Sequence, residues 1–143
     1  MIEINGLAHI GIRITDFEQS KVFYQKFGFN VVREDYQERV VVLQHASGIE
    51  LNLLDSANDT NEGSNILMDE SLRYPGFTHL AFAVSDIDHV QSVLKVQGIT
   101  ITEGPVRFGD GSTSVFFRDP DRNVIELSLP QVQSQVQPHE RKS

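Results

Sequence analysis

Apolar positions in this chain alternate over short stretches and then recur every three or four residues, and that change of period happens twice. Residues 7–14 are rich in Ile and alternate in part, which predicts a strand. Thr15 or Asp16 can then offer an N-cap oxygen to free helix amides. Phe17, Ser20, Phe23, Tyr24 and Phe27 follow at helical spacing, until Gly28 closes the helix. Residues 29–33, 39–44 and 49–54 read as three further strands, with Gly48 marking a turn. The second half has the same order. Residues 78–84 predict a strand, Ser85 or Asp86 a cap, and Ile87, Val90, Val93, Leu94 and Gln97 a helix that ends at Gly98. Residues 99–102, 112–118 and 124–129 supply three more strands. Gly109-Asp110-Gly111 is a hairpin signal, and Asp119-Pro120-Asp121-Arg122-Asn123 a turn before the last strand.

The two halves are copies of one unit. Leu7-Ala8-His9-Ile10-Gly11-Ile12-Arg13-Ile14-Thr15-Asp16 returns as Phe77-Thr78-His79-Leu80-Ala81-Phe82-Ala83-Val84-Ser85-Asp86. His9 and His79 stand 70 positions apart, as do Asp16 and Asp86, and Gly28 and Gly98. A duplicated strand–helix–three-strand unit predicts an α+β fold of tandem βαβββ modules. The expected organisation is one domain over 1–130, with module one at 5–55, a linker at 55–75 and module two at 76–130. The linker is rich in Ser, Asn, Asp and Gly, with one helical turn expected at 68–72. A polar, Gln-rich tail at 131–143 is expected to fray.

Composition narrows the function. The formal net charge of −8 argues against nucleic acid, whose phosphates call for clustered Lys and Arg. No stretch approaches the roughly 20 apolar residues of a membrane span. Residues 1–5 lack the basic and apolar regions of a signal peptide, so a cytoplasmic location is expected. There is no cysteine, hence no disulfide and no thiolate ligand or nucleophile. Any metal must sit on histidine, carboxylate and water.

The copies also end alike, at Ile49-Glu50-Leu51 and Ile125-Glu126-Leu127. Each copy therefore offers one His from its first strand and one Glu from its last. Taken singly, each Glu is explained by alternation, with the apolar neighbours facing the core and the carboxylate facing water. A lone strand His is explained as readily by a structural role. Two His and two Glu at matching places of a duplicated unit point instead to a shared centre. Two imidazoles and two carboxylates suit one divalent ion, Zn²⁺, Ni²⁺, Co²⁺, Fe²⁺ or Mn²⁺, with positions left for water or substrate. His45, His89 and His139 read as structural or surface histidines.

At these residues the chain resembles the vicinal oxygen chelate superfamily, which includes glyoxalase I, extradiol dioxygenases, methylmalonyl-CoA epimerase and the fosfomycin and bleomycin resistance proteins. The likeness spans about residues 5–130 and rests on the unit order, the His of each first strand and the Asp-Pro-Asp turn before Ile125-Glu126-Leu127. It implies paired βαβββ modules whose eight strands form a cupped mixed sheet with flanking helices. Within the superfamily the chain is most similar to glyoxalase I (lactoylglutathione lyase). That resemblance implies His9, Glu50, His79 and Glu126 as metal ligands. Glu126 would be the base, with Glu50 its counterpart, and protons would move through a metal-bound enediolate of a 2-oxoaldehyde–thiol hemithioacetal. Arg13 matches the family arginine that contacts the substrate's glutathione part, and lies on the strand face of His9. The implied partners are a small-molecule substrate, such as a glutathione adduct, and a second copy in a homodimer. The chain departs from the glyoxalase I pattern at Leu54 and Arg122, which leaves the thiol partner open. Dioxygenase and fosfomycin branches of the superfamily use two His and one Glu. A non-enzymatic binding module is a further reading.

Overall fold

The computed structural model describes residues 1–58, 60 and 63–131. His139 and the tail beyond Gln131 lie outside them. Ten elements follow in order: β1 (Ile10–Arg13), α1 (Phe17–Gln25), β2 (Asn30–Asp35), β3 (Val40–Gln44), β4 (Glu50–Leu54), β5 (His79–Ala83), α2 (Ile87–Val96), β6 (Glu103–Arg107), β7 (Thr113–Arg118) and β8 (Val124–Leu129). The eight strands and two helices expected from the sequence are thus present, as two four-stranded mixed sheets ordered β1-β4-β3-β2 and β5-β8-β7-β6. In each sheet the first strand runs parallel to the last, and the other pairs are antiparallel. The chain divides into two compact units, Met1–Tyr74 with Asp119–Arg122, and Pro75–Arg118 with the chain from Asn123 onward.

Local chemistry sets the helix ends. Asp16 and Asp86 sit in extended backbone, and each carboxylate accepts the amide hydrogen of the third residue on, from Gln19 and His89. After each helix the backbone reverses at Gly28 (φ +91°) and Gly98 (φ +74°), a conformation that costs glycine little. In the first unit, Phe23, Tyr24 and Phe29 pack with Val41, Leu43, Leu51 and Leu53 as a buried core. In the second, Leu94 of α2 is buried, as are Val115, Phe117, Ile125 and Leu127 of the sheet.

Two local expectations shift. Residues 99–102, read as a strand, are not one, and the strand β6 lies beyond them at Glu103–Arg107. Gly104-Pro105 has the look of a turn. Proline is tolerated here because β6 is the sheet edge, and the pairing slips between Glu103 and Val106 where the missing N–H falls. Only glycine fits at 104, since a Cβ there would stand 2.5 Å from the Ser114 carbonyl oxygen. The linker's turn sits at 66–69 rather than 68–72. It is set by Asn65, whose side-chain oxygen accepts from the amides of Leu67 and Met68.

The turn between β7 and β8 belongs to the first unit. Asp119 is buried and accepts a 2.6 Å hydrogen bond from the Tyr24 hydroxyl. Asp121 accepts from the Thr15 hydroxyl at 2.7 Å, and the Asn65 amide donates to the Arg122 carbonyl at 3.1 Å. Tyr24 is 1% exposed. Burial, with the Asp119 carboxylate beside it, holds its phenol pKa well above the ordinary value. A raised folded-state pKa contributes stability that is present below the unfolded value of about 10 and is lost as pH rises through the folded one. Tyr24→Phe should lower stability to urea by about 1.5–3 kcal/mol at neutral pH, because a buried carboxylate loses a donor. It should also flatten the loss of stability above pH ~10. Equal alkaline slopes for the two proteins would count against this role of the hydroxyl.

Candidate functional site

In the second unit, strand alternation decides where the charged groups go. Ile125 and Leu127 of β8 are buried on one face, so Glu126 projects from the other. Glu126 lies opposite Ala81 on the parallel strand β5 and opposite Phe116 on the antiparallel strand β7. His79 shares this face, two residues before Ala81. Its Nε2 stands 3.1 Å from Glu126 Oε1, with the side chains 39% and 13% exposed. The other carboxylate oxygen, Oε2, accepts a 2.6 Å hydrogen bond from the hydroxyl of fully buried Ser114. Thr78 Oγ1 lies 2.9 Å from His79 Nδ1. The hydroxyl can donate to that nitrogen or accept from it, so it supports either neutral tautomer. The Phe116 ring meets the His79 ring edge-on at 6.3 Å, and Phe108 meets Phe116 in the same way at 6.5 Å.

In the first unit His9 is exposed and immediately precedes β1. Gly11, Ile12 and Arg13 lie opposite Asn52, Leu53 and Leu54 of β4. The equivalent residues Ala81, Phe82 and Ala83 lie opposite Glu126, Leu127 and Ser128. The residue in the place of Glu126 is therefore Asn52, and not Glu50 as the repeated Ile-Glu-Leu suggests. Glu50 lies two residues earlier on the same face, and accepts a 3.0 Å hydrogen bond from Gln44 across the ladder. Asn52 Oδ1 is buried and has no hydrogen-bond partner. Arg13 is exposed, and its Nε donates to Ser56 Oγ at 3.1 Å.

The structure thus brings His79 and Glu126 together and directs Glu50 to Gln44. Among the described residues no group of three or more His, Asp or Glu side chains stands close enough to hold an ion. The His79–Glu126 pair fits a divalent cation as part of a coordination sphere. It joins a borderline nitrogen donor to a carboxylate that is already oriented by a buried hydroxyl, and the far nitrogen of the imidazole has a hydroxyl partner. Thr78, Ser114 and Phe116 escaped the sequence reading. The signal for Ser114 was a small polar residue inside the apolar run of β7, two positions from Phe116. His45 serves its own turn, its Nδ1 accepting from the Ser47 amide at 2.9 Å.

This architecture agrees with comparison to known proteins. Residues 6–127 match the family model of the Glyoxalase/Bleomycin resistance protein/Dioxygenase superfamily, and the chain belongs to that superfamily. Its members commonly use a divalent metal ion and bind small molecules. Among relatives, the uncharacterized protein YwkD of Bacillus subtilis is 32% identical over 139 residues, covering 87% of this chain and 96% of that protein. A glyoxalase family protein from Enterococcus faecalis has a solved structure with TM-score 0.69 and 28% identity, covering 87% of this chain and 97% of that one. The genomically encoded fosfomycin resistance protein FosX of Listeria monocytogenes shares the fold, with TM-score 0.68 and 20% identity over 97% of each chain. No helix among the described residues is long and apolar enough to cross a membrane.

The Ser114–Glu126 contact is open to a direct check. Ser114→Ala should lower stability to denaturant by about 1.5–3 kcal/mol, the range for a hydrogen bond to a charged group. Unchanged stability would mean that the contact does not hold the carboxylate in place.

Proposed function

We propose that the protein is a metal-dependent enzyme of the glyoxalase type, a lyase or isomerase that moves a proton between adjacent carbons of a 2-oxoaldehyde–thiol adduct. The observation that supports this most is the His79–Glu126 pair, a ligand-competent imidazole beside an oriented, half-buried carboxylate. His79 and Glu126 are the ligands of the second unit and His9 that of the first. By its resemblance to glyoxalase I, Glu50 is the fourth. The ion, Ni²⁺, Zn²⁺, Co²⁺, Fe²⁺ or Mn²⁺, supplies Lewis-acid stabilisation of negative charge on substrate oxygen.

The protein's own groups do the rest. Glu126 takes the proton from one carbon and returns it to the neighbouring carbon, so the carboxylate is regenerated and the reaction is redox-neutral. Ser114 fixes Oε2 and thereby aims Oε1. Phe116 and Phe108 offer an apolar wall against which the carbon skeleton rests and from which water is displaced. Arg13 supplies a positive charge for an anionic part of the substrate. Assembly as a homodimer and a cytoplasmic location complete this reading.

A second reading has one specific observation in its favour. With Asn52 in the place of Glu126, the duplicated positions hold two His and one Glu, the set used by the dioxygenase and fosfomycin branches. Turnover assays separate the two. With Ni²⁺, Co²⁺ or Zn²⁺, methylglyoxal and glutathione should be consumed, and Glu126→Gln should lower kcat by about 10²–10⁴-fold. No turnover with any of these ions would overturn the lyase reading. Oxygen uptake with catechols under Fe²⁺, or modification of fosfomycin, would establish the alternative.

A further inference from the structure

We propose that Asn5, in the exposed segment ahead of β1, is a modification site. Its side-chain amide is lost through a cyclic imide formed with Gly6, which leaves isoaspartate and aspartate in its place.

The reaction joins two neighbours in the chain. The backbone nitrogen of the following residue attacks the side-chain carbonyl carbon of asparagine, an imide ring closes, and ammonia leaves. Water then opens the ring. Attack at the former side-chain carbonyl gives aspartate. Attack at the main-chain carbonyl gives isoaspartate, in which the chain runs through the former side chain. The sum consumes water and releases ammonia, with no change of oxidation state.

Asn5-Gly6 is the sole Asn-Gly pair in the sequence, and the structure leaves it free to react. Gly6 carries no Cβ to crowd the attacking nitrogen, and a Cβ built there would meet nothing within 4 Å. Residues 1–9 are all exposed, and the flanking Ile4 and Leu7 are 83% and 77% exposed, so no packing holds the backbone open. Among the described residues, neither the Asn5 side chain nor the Gly6 amide has a hydrogen-bond partner. The ladder between β1 and β4 begins at Ile10, so the ring closes without breaking a strand bond.

The other positions where such a ring could form are held. Asp110-Gly111 has the same backbone chemistry, yet the Gly111 amide donates to the Phe108 carbonyl at 2.9 Å. Asp110 Oδ1 accepts from the Ser112 amide at 2.9 Å and from its hydroxyl at 2.7 Å. Those bonds hold the Asp110 carboxyl below the usual range, in the ionised form that resists attack. Asn30, Asn65 and Asn123 precede Val31, Ile66 and Val124, whose branched side chains crowd the nitrogen. The Asn65 side chain is also bonded to its own turn and to the Arg122 carbonyl.

The product changes the segment in two ways. It gains a negative charge, and the isoaspartate form inserts a methylene into the main chain four residues before His9. The exposed isoaspartyl carboxylate then fits a carboxyl methyltransferase as partner.

The test is ageing of the full-length protein at a series of mildly alkaline pH values, followed by tryptic mass spectrometry and by methyl transfer from an isoaspartyl methyltransferase. The peptide Met1–Arg13 should split into two forms, each heavier by the exchange of an amide for an acid, one of them methylated. Its conversion should quicken with pH and run close to the rate of the synthetic peptide of the same sequence. The peptide Phe108–Arg118, which carries Asp110-Gly111, should accumulate no isoaspartate over that time. Gly6→Ala should slow the conversion about tenfold or more, because a Cβ restricts the backbone that must close the ring. Asn5→Gln should abolish it. A Met1–Arg13 peptide unchanged while its synthetic counterpart converts, or a Gly6→Ala protein that converts as fast as the parent, would overturn the proposal.

Discussion

The position of Glu126 depends on β8 being paired on both edges. β5 fixes it on the parallel side and β7 on the antiparallel side, and Val124, Ile125 and Leu127 are all buried. A slip of one residue would turn Ile125 and Leu127 to the opposite face and bury the carboxylate in their place, at a cost of several kcal/mol. The register is therefore held by the core, and the chemistry of the site is carried by the face the core leaves over. His79, Ser114 and Phe116 reach Glu126 because they occupy that same face on the neighbouring strands. The pair is thus a product of packing as much as of charge.

The first unit shows the same constraint giving a different result. Its sheet has the same order, and β4 buries Leu51 and Leu53 as β8 buries Ile125 and Leu127, yet the polar residue on the equivalent rung is an amide. Duplication has preserved the frame of two strands beside a histidine and allowed the side chains to diverge. Where the second unit holds a carboxylate aimed by a buried hydroxyl, the first holds a buried carbonyl oxygen with no partner.

Much of this was legible in the chain. The change of hydrophobic period, the capping aspartates and the glycines at matching places give the order of elements, because each is a local signal with a local cause. The histidines align for the same reason, since each stands at a fixed distance before a capped helix. Glu50 is the instructive case. Ile-Glu-Leu appears in both copies, and a string match pairs them. Strand pairing is set instead by the ladder: both turns span five residues, 45–49 and 119–123, so Glu50 falls on the rung of Val124, although the turns are held by different contacts. The turn before β8 is anchored through Asp119 to Tyr24, while the turn before β4 closes on His45 and Ser47. A two-residue offset keeps the inside–outside pattern and so leaves no trace in periodicity. β6 was misplaced for a related reason. Gly104-Pro105 signals a turn locally, and only the sheet's edge makes it a strand. Thr78 and Ser114 were invisible because their roles exist only across strands.

In the proposed function His79, beside Glu126, is a metal ligand through Nε2. Nitrogen-15 NMR of the histidine rings during Zn²⁺ addition tests it most directly. His79 Nε2 should move to the shift of a metal-bound nitrogen while its Nδ1 carries the proton toward Thr78, and Glu126→Gln should weaken this change. His79 ring resonances that stay unmoved at saturating Zn²⁺ would contradict it.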